Sequence, residues 1–390
     1  MDVMLYGLLL IALALGWWLG RRERLRQLPA VPGSELSRDY FIGLNYLLNE
    51  QPDEAIETFV RALEVNSETV DTHIALGNLF RTRGESDKAV RVHQNLFARP
   101  ALSAEQSRRV QLELARDFMA AGLLDRAERL LRELIEQNGP HTTDSRELLM
   151  GLYEREREWQ RALATLSPSM LKNNPHLRRV AAHYCCELGS ELMRQQEFAQ
   201  ARKQLKQANA YDPQCVRATL LMSQLELQSG SPRAALRILQ RIPEQDPGMV
   251  PLMLPPLRDA YDLMEQPEAL LNHLRQLLHK TPYASVALMI ADRLSQTGHL
   301  SQATEELANQ MRHHVSLKGV DHLIELYMQQ SRGEERAHLL TLRHLTQQLL
   351  SGRPEHQCTE CGFQSKQMFW QCPKCRHWGT VRPITGVEGE

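Results

Sequence analysis

Net charge, aromatic rings and recognisable reaction chemistry are all scarce in this 390-residue sequence. Lys and Arg number 46 and Asp and Glu 47, a formal net charge of −1, so there is no electrostatic footprint for bulk nucleic-acid binding. Aromatic residues make up 6% of the chain, and Leu and Ala dominate instead, as close-packed helices require. There is no Gly-rich phosphate loop, no G-x-S-x-G, no H-E-x-x-H and no dinucleotide fingerprint, which excludes the commonest nucleotide and hydrolase signatures. The 15 histidines are scattered; the one tight pair, His313-His314, sits at neighbouring helix positions that point apart. Glu305-Glu306 and Glu334-Glu335 read as solvated helix faces. The expectation is a protein that is not an enzyme. Cysteines number seven, an odd count without a disulfide-like framework, which points to a reducing compartment. Cys185 and Cys186 lie side by side on a predicted helix and read as small packing residues rather than a redox pair.

What is present is a period. Residues 51–63 read Q-P-D-E-A-I-E-T-F-V-R-A-L, with Ala55, Phe59 and Ala62 on one helical face, after a segment holding Gly43 and Tyr46. Counterparts of Ala55 fall at Ala89, Ala127, Ala162, Ala201, Ala235, Ala269, Ala303 and Ala337, at intervals of 34, 38, 35, 39, 34, 34, 34 and 34 residues. A turn glycine recurs five positions earlier (Gly84, Gly122, Gly230, Gly298), and a small residue twelve earlier (Gly77, Ala115, Gly189, Ala291). Antiparallel helices approach closely only where Gly or Ala occupies the crossing. The pattern resembles the tetratricopeptide repeat (TPR), whose unit is 34 residues, and a plain Ala- and Leu-rich bundle would not hold that phase. The longer intervals coincide with breaker-rich insertions at residues 100–103 and 167–175. Pro251, Pro255 and Pro256 fall where one first helix belongs, so that helix is expected to be short or kinked. About nine units spanning residues 36–350 would form an all-α solenoid with a long concave surface for a protein segment. Polar first-helix positions Asn78, Arg81, Arg116 and Arg194 are the candidate partner groove by TPR analogy.

Residues 3–20 carry no charge, about 27 Å of helix, just enough to cross a bilayer. Trp17 and Trp18 close the run as an interfacial belt, and Arg21 and Arg22 follow. A secretory signal would carry its positive charge before the apolar run, and a buried core helix would be interrupted by polar residues. Residues 1–20 therefore read as one transmembrane anchor in contact with membrane lipid. The positive-inside rule places Arg21 onward in the cytoplasm and the N-terminus outside. Residues 21–35 form a basic juxtamembrane segment and a short stiff linker with Pro29, Pro32 and Gly33. The Arg cluster can also meet anionic headgroups, or simply set topology.

After Leu350 the helical period stops, and residues 351–390 carry a different signature. Cys358-Thr-Glu-Cys361-Gly-Phe is followed by Cys372-Pro-Lys-Cys375. Two CxxC pairs at this spacing can turn four thiolates onto one tetrahedral ion, zinc or iron, and leave no open ligand position. So small a segment cannot fold on its own core, so the metal should supply most of its folding energy. Phe363, Phe369, Trp370 and Trp378 should wrap the site or dock it on the last repeat. Lys366, Lys374, Arg376 and Arg382 interleave with these rings, a pattern some nucleic-acid-binding ribbons share, but it is also ordinary for a metal knuckle. The knuckles resemble rubredoxin, with a much shorter insert and with Arg376 where rubredoxin has glycine. Electron transfer by iron and a simple pair of disulfides remain alternatives.

The order of anchor with Arg21-Arg22, Pro linker, TPR-like units and CxxC…CPxC resembles the bacterial lipopolysaccharide assembly protein B family over the full length. That resemblance implies an inner-membrane adaptor with its N-terminus periplasmic and the bulk of the chain cytoplasmic. It would present the lipid A pathway deacetylase (LpxC) to the membrane ATP-dependent protease (FtsH) for degradation. The anchor would meet the protease, and the repeats and knuckle would hold the deacetylase. Other readings are a membrane-tethered scaffold for envelope assembly enzymes and a rubredoxin-like electron carrier. The sequence leaves homodimerisation of the array open.

Overall fold

A computed structural model describes residues 70–390 except 101 and 388, together with residues 42, 45, 46 and 58. The expected anchor with Trp17, Trp18, Arg21 and Arg22, and the unit around Ala55, lie outside the described residues. Among the described residues no helix is long and apolar enough to cross a membrane. The chain divides into two compact units, residues 1–134 and 135–390.

In the first unit α1 (Val70–Thr82), α2 (Ser86–Phe97), α3 (Ala104–Ala120) and α4 (Leu124–Glu136) form two helical hairpins. Their apolar faces close on Ile74, Phe80, Leu96, Leu112 and Leu131, all fully or nearly buried. Ser103 begins α3 through a capping box with Gln106, which satisfies end N–H groups of the helix reciprocally. Gly77 marks the crossing of α1 and α2. A methyl group at Gly77 would collide with the His93 ring, and that ring is 0% exposed and held by Asp117. Gly77→Ala should therefore destabilise the protein by about 2 kcal/mol through overpacking, read as a lower urea midpoint.

In the second unit the hairpins are α5 (Thr142–Glu156) with α6 (Trp159–Thr165), α8 (Pro175–Arg194) with α9 (Phe198–Tyr211), and α10 (Val216–Gln228) with α11 (Pro232–Leu239). They continue with α13 (Val250–Leu263) and α14 (Pro267–Lys280), α15 (Ala284–Gln296) and α16 (Leu300–His313), and α17 (Leu317–Gln330) and α18 (Glu334–Leu350). The 167–175 insertion is an extra short helix, α7 (Pro168–Asn173), and α12 (Ile242–Gln245) leads into a 3-10 turn, Pro247–Met249.

The repeat phase is visible in the backbone. Gly84, Gly122, Gly230 and Gly298 all sit in the left-handed region that reverses the chain between paired helices, and Arg157 and Gln196 take the same place in their hairpins. Ala89, Ala127, Ala162, Ala201, Ala235 and Ala303 are each 0% exposed. Ala269 is not the phase mark of its unit. Leu270 is buried there, and Glu265, five residues before Leu270, makes the left-handed turn. Ala337 is exposed, because α18 buries no residue at all. That helix is held to α17 by polar contacts, Arg343 to Glu325 at 2.8 Å and Thr346 to Asp321 at 2.7 Å. The proline-rich helix is also not shortened. α13 runs 14 residues with Pro255 and Pro256 inside it. Pro251 sits in its first turn, where a missing N–H is harmless. Burial of Met253, Leu254, Leu257 and Ala260 holds the rest.

The tail folds as a three-stranded antiparallel sheet in the order β2-β1-β3, with β1 (His356–Cys358), β2 (Gln364–Ser365) and β3 (Val381–Pro383). Gln357 faces Gln364 on one side and Arg382 on the other.

Candidate metal centre and its seam with the repeats

Each CxxC closes a tight turn with the same hydrogen bonds. Gly362 N–H donates to Cys358 O at 3.0 Å and Arg376 N–H to Cys372 O at 2.8 Å; Cys358 N–H donates to Phe363 O and Cys372 N–H to His377 O. The residue after each second cysteine is left-handed, Gly362 at φ 70 and Arg376 at φ 62. The arginine that departs from the rubredoxin pattern therefore adopts the glycine conformation, at a cost of about 1–2 kcal/mol. Its guanidinium meets a carboxylate, with Nη2 3.3 Å from Glu154 Oε1.

The two turns bring the four sulfurs within 4.8 Å of one another. Cys358 and Cys375 are 3.7 Å apart and Cys361 and Cys372 3.6 Å. A tetrahedron with metal–sulfur bonds of about 2.3 Å has edges of about 3.8 Å. The four thiols are unbridged, and the donor set fits one tetrahedral ion, with Cys358, Cys361, Cys372 and Cys375 as its ligands. Cys358 Sγ lies 3.3 Å from the Thr380 hydroxyl. Phe363, Met368 and Phe369 pack around the buried Cys358, Cys372 and Val381.

Trp378 does not dock on the last repeat, as the sequence reading allowed, although the start of α17 meets the tail through Lys318 and Glu355. It docks on α5, α6 and α8, far back along the chain, because the matching partners are there. Trp378 is 5% exposed. It stacks on His183 (centroids 5.1 Å, planes 22°) and meets Trp159 and Tyr184 edge-on. Its indole N–H donates to Glu154 Oε2 at 2.9 Å. The same carboxylate accepts from the Tyr184 hydroxyl at 2.7 Å and from Gln371 Nε2 at 2.7 Å. Four donors, three of them from the knuckle, thus converge on a Glu154 side chain that is 12% exposed. Burial, and then the Glu154 charge, push the Tyr184 phenol pKa well up, so the hydroxyl stays a donor. Arg382 pairs with Asp246, and Met368 reaches the large core cluster of the neighbouring repeats. The C-terminal residues complete the seam. Ser285 N–H donates to Glu390 Oε2 at 2.9 Å, Leu317 N–H to Val387 O at 2.9 Å, and the Ser316 hydroxyl to Gly389 O at 2.9 Å. Phe363 and Phe369 thus wrap the metal site while Trp370 and Trp378 face the repeats, and Arg376 and Arg382 are spent on the docking.

His183 makes this seam sensitive to acid. It is 3% exposed, and burial, then the charges of Arg217 and Arg179, push its pKa down to about 3. The unfolded chain takes up that proton near its ordinary pKa of about 6.5, so the unfolded state binds the proton first and stability falls as pH drops below about 6.5. The loss should be on the order of 1 kcal/mol per pH unit. Comparing unfolding of the native chain with His183→Gln at about pH 7.5 and about pH 5.5 should show a flatter pH slope in the variant. Equal slopes would assign the acid sensitivity elsewhere.

The candidate groove residues are placed in two ways. Arg81 donates to Asn78 Oδ1 at 2.6 Å, Glu113 Oε2 at 2.7 Å and Asp117 Oδ1 at 2.6 Å, and Arg116 donates to Glu113 Oε1 at 2.5 Å. Asn78, Arg81 and Arg116 are therefore one network in the first unit. Arg194 is an exposed residue of α8 in the second. Sequence reasoning missed Glu154, His183 and Asp246. Glu154 sits in the run Y-E-R-E-R-E, which has the look of a solvated helix end, and its knuckle partners are 217, 222 and 224 residues away.

Comparison with known proteins agrees with this architecture. The family profile described as "Rubredoxin metal binding domain" matches residues 356–383. Profiles described as "Tetratricopeptide repeat" match residues 40–69, 72–100, 112–167 and 192–252. Lipopolysaccharide assembly protein B of Escherichia coli is 32% identical over 388 residues, covering 99% of both chains. The protein of the same name from Haemophilus influenzae is 30% identical over 402 residues, covering 100% of both. Among solved structures, a tetratricopeptide repeat protein from Parabacteroides merdae is 15% identical, covering 67% of this chain and 100% of that one with a TM-score of 0.34. These relatives match this chain from end to end at 30% identity or more, and the chain belongs to the lipopolysaccharide assembly protein B family.

Proposed function

We propose that this chain is a non-enzymatic inner-membrane adaptor that regulates lipopolysaccharide synthesis by presenting the LpxC deacetylase to the FtsH protease. The observation that carries this reading is the end-to-end similarity to relatives named lipopolysaccharide assembly protein B, on a chain built from protein-binding repeats. Residues 3–20 would anchor it, with the N-terminus periplasmic and the repeats cytoplasmic. The anchor would meet the protease within the membrane. The repeats, with Asn78, Arg81, Arg116 and Arg194 as candidate contacts, would hold the deacetylase together with the knuckle. In this reading the metal is structural: it fixes the knuckle whose Trp378, Gln371 and Arg376 meet Glu154.

The test is cross-linking in intact cells, followed by identification of what co-purifies with the full-length chain and with a chain lacking residues 1–20. Recovery of both enzymes, with the protease lost when the anchor is removed, is the expected result. Recovery of a broad set of assembly enzymes instead would favour a general scaffold. The rubredoxin-like profile over residues 356–383 supports a second reading, an iron electron carrier. A red, reversibly reducible protein would favour it, and a colourless zinc protein would exclude it.

A further inference from the structure

Between the knuckle and the repeats lies a cavity of about 340 Å³ whose wall includes Arg179, His183, Arg217, Asp246, Trp370 and Arg382. That is at the small end of the range for organic ligands and well above a single water. Its polar lining is unusual for a packed seam. His183 is 3% exposed, and its Nδ1 has no hydrogen-bond partner among the described residues. Arg217 is 8% exposed, with its guanidinium 5.8 Å from the Trp370 ring. Arg217 Nη1 is 2.9 Å from Glu187 Oε1, so that edge of the guanidinium is ion-paired. Arg179, on the same helix as His183 and one turn before it, is exposed and makes no ion pair or hydrogen bond among the described residues. Buried donors are normally satisfied. Here one buried histidine with an unpartnered nitrogen and one uncommitted cation, Arg179, line one cavity.

We infer that this cavity is a binding site for a phosphate monoester. Three arginines line it against Asp212 and Asp246; Arg382 is paired with Asp246 and Arg217 with Glu187, which leaves Arg179 as the guanidinium free to meet an anion. Guanidinium groups match phosphate oxygens in geometry as well as charge. The half-buried Trp370 supplies a flat apolar wall for the organic part of the ester. The cavity walls come from both the repeats and the knuckle, so a bound ester would hold the two together. The ester could reach the site as a small solute or as a lipid headgroup; the recognition chemistry is the same.

The test uses full-length, metal-loaded protein in detergent, titrated calorimetrically with inorganic phosphate and glycerol 3-phosphate at constant ionic strength. It is then assayed for binding to phosphatidic acid vesicles against phosphatidylcholine vesicles. Arg179→Gln should leave the unfolding midpoint of the ligand-free protein unchanged, since Arg179 holds nothing in place. The variant should weaken binding about tenfold, the equivalent of one charge-assisted hydrogen bond. Binding of the soluble probes assigns a solute. Binding only to phosphatidic acid vesicles, again weakened by Arg179→Gln, assigns a headgroup. The inference is overturned if no probe binds at about 10 mM, where even a contact of a few kcal/mol would register. It is equally overturned if Arg179→Gln binds as tightly as the native chain.

Discussion

Cys358→Ser combined with Cys361→Ser should leave the helices intact and unfold the tail from β1 onward. The three strands contribute two or three residues each, and the knuckle's own apolar cluster has Cys358, Cys372 and Val381 as its buried members, Trp378 being buried against the repeats. Two of those three are ligands. Such a core cannot offset the conformational entropy of the segment, on the order of 1–2 kcal/mol per residue. Metal–thiolate bonding, at about 10–16 kcal/mol for small structural sites, can. The helical cores around Leu257, Leu274 and Ile290 are built from repeat residues, with only Met368 added from the knuckle. The expected result is therefore loss of bound metal by elemental analysis, rapid proteolysis after about residue 350, and nearly unchanged helical circular dichroism. A strong chelator should reproduce it. A variant whose tail stays protease-resistant without metal would show that docking alone folds the knuckle.

Glu154→Leu should produce the complementary result: a knuckle that keeps its metal and leaves the repeats. One carboxylate takes the Trp378 indole, the Tyr184 hydroxyl, Gln371 and Arg376. A leucine of similar size fills the space and satisfies none of them. Removing one partner of a buried charged network costs about 3–5 kcal/mol, chiefly because the donors left behind stay desolvated. Hydrogen exchange should show lost protection at Trp378, Gly379 and Thr380, while the metal content remains at one ion per chain. Glu154→Gln should fall between, since its amide oxygen still accepts and its NH2 faces other donors. If the repeats and knuckle act together on a partner, Glu154→Leu should abolish that action without touching the metal. Full protection at Trp378 in this variant would mean that ring stacking and the Arg382–Asp246 pair hold the knuckle by themselves.

Much of this was legible in the sequence where the determinants are local. The buried alanines, the left-handed glycines of the turns and the two CxxC turns each follow from contacts a few residues long. Misreadings arose where a local signal had two explanations. Ala269 keeps the 34-residue spacing but is adjacent to the residue that is buried, Leu270, and only the left-handed Glu265 reveals the shift. Ala337 keeps the spacing on a helix that buries no residue among the described residues, and Leu340, Leu342, Leu345 and Leu349 of that helix are half exposed. Three prolines promised a short or kinked helix, yet it runs 14 residues because their neighbours are buried well enough to carry it through. The docking place of the knuckle was beyond sequence reasoning, because Glu154 and Asp246 have no local feature that distinguishes them from solvated acids. Arg376 was noticed as a departure, but its pairing with Glu154 depends on a fold that brings distant residues together.

That distance has a consequence for how the molecule is made. The contacts to Glu154 close loops of 217 to 224 residues, whereas each helical hairpin closes over a few tens of residues. Loop-closure entropy rises only logarithmically with length, about 0.6 kcal/mol per doubling, so the thermodynamic penalty is modest. The kinetic ordering is not: contacts local in sequence form first, and the long closure comes last. On a ribosome that adds residues from the N-terminus, the helices bearing Glu154 and His183 are complete before Cys372 and Cys375 emerge. Seating of Trp378 thus waits for those helices, and it reports in a single event that the hairpins and the CxxC turns are formed.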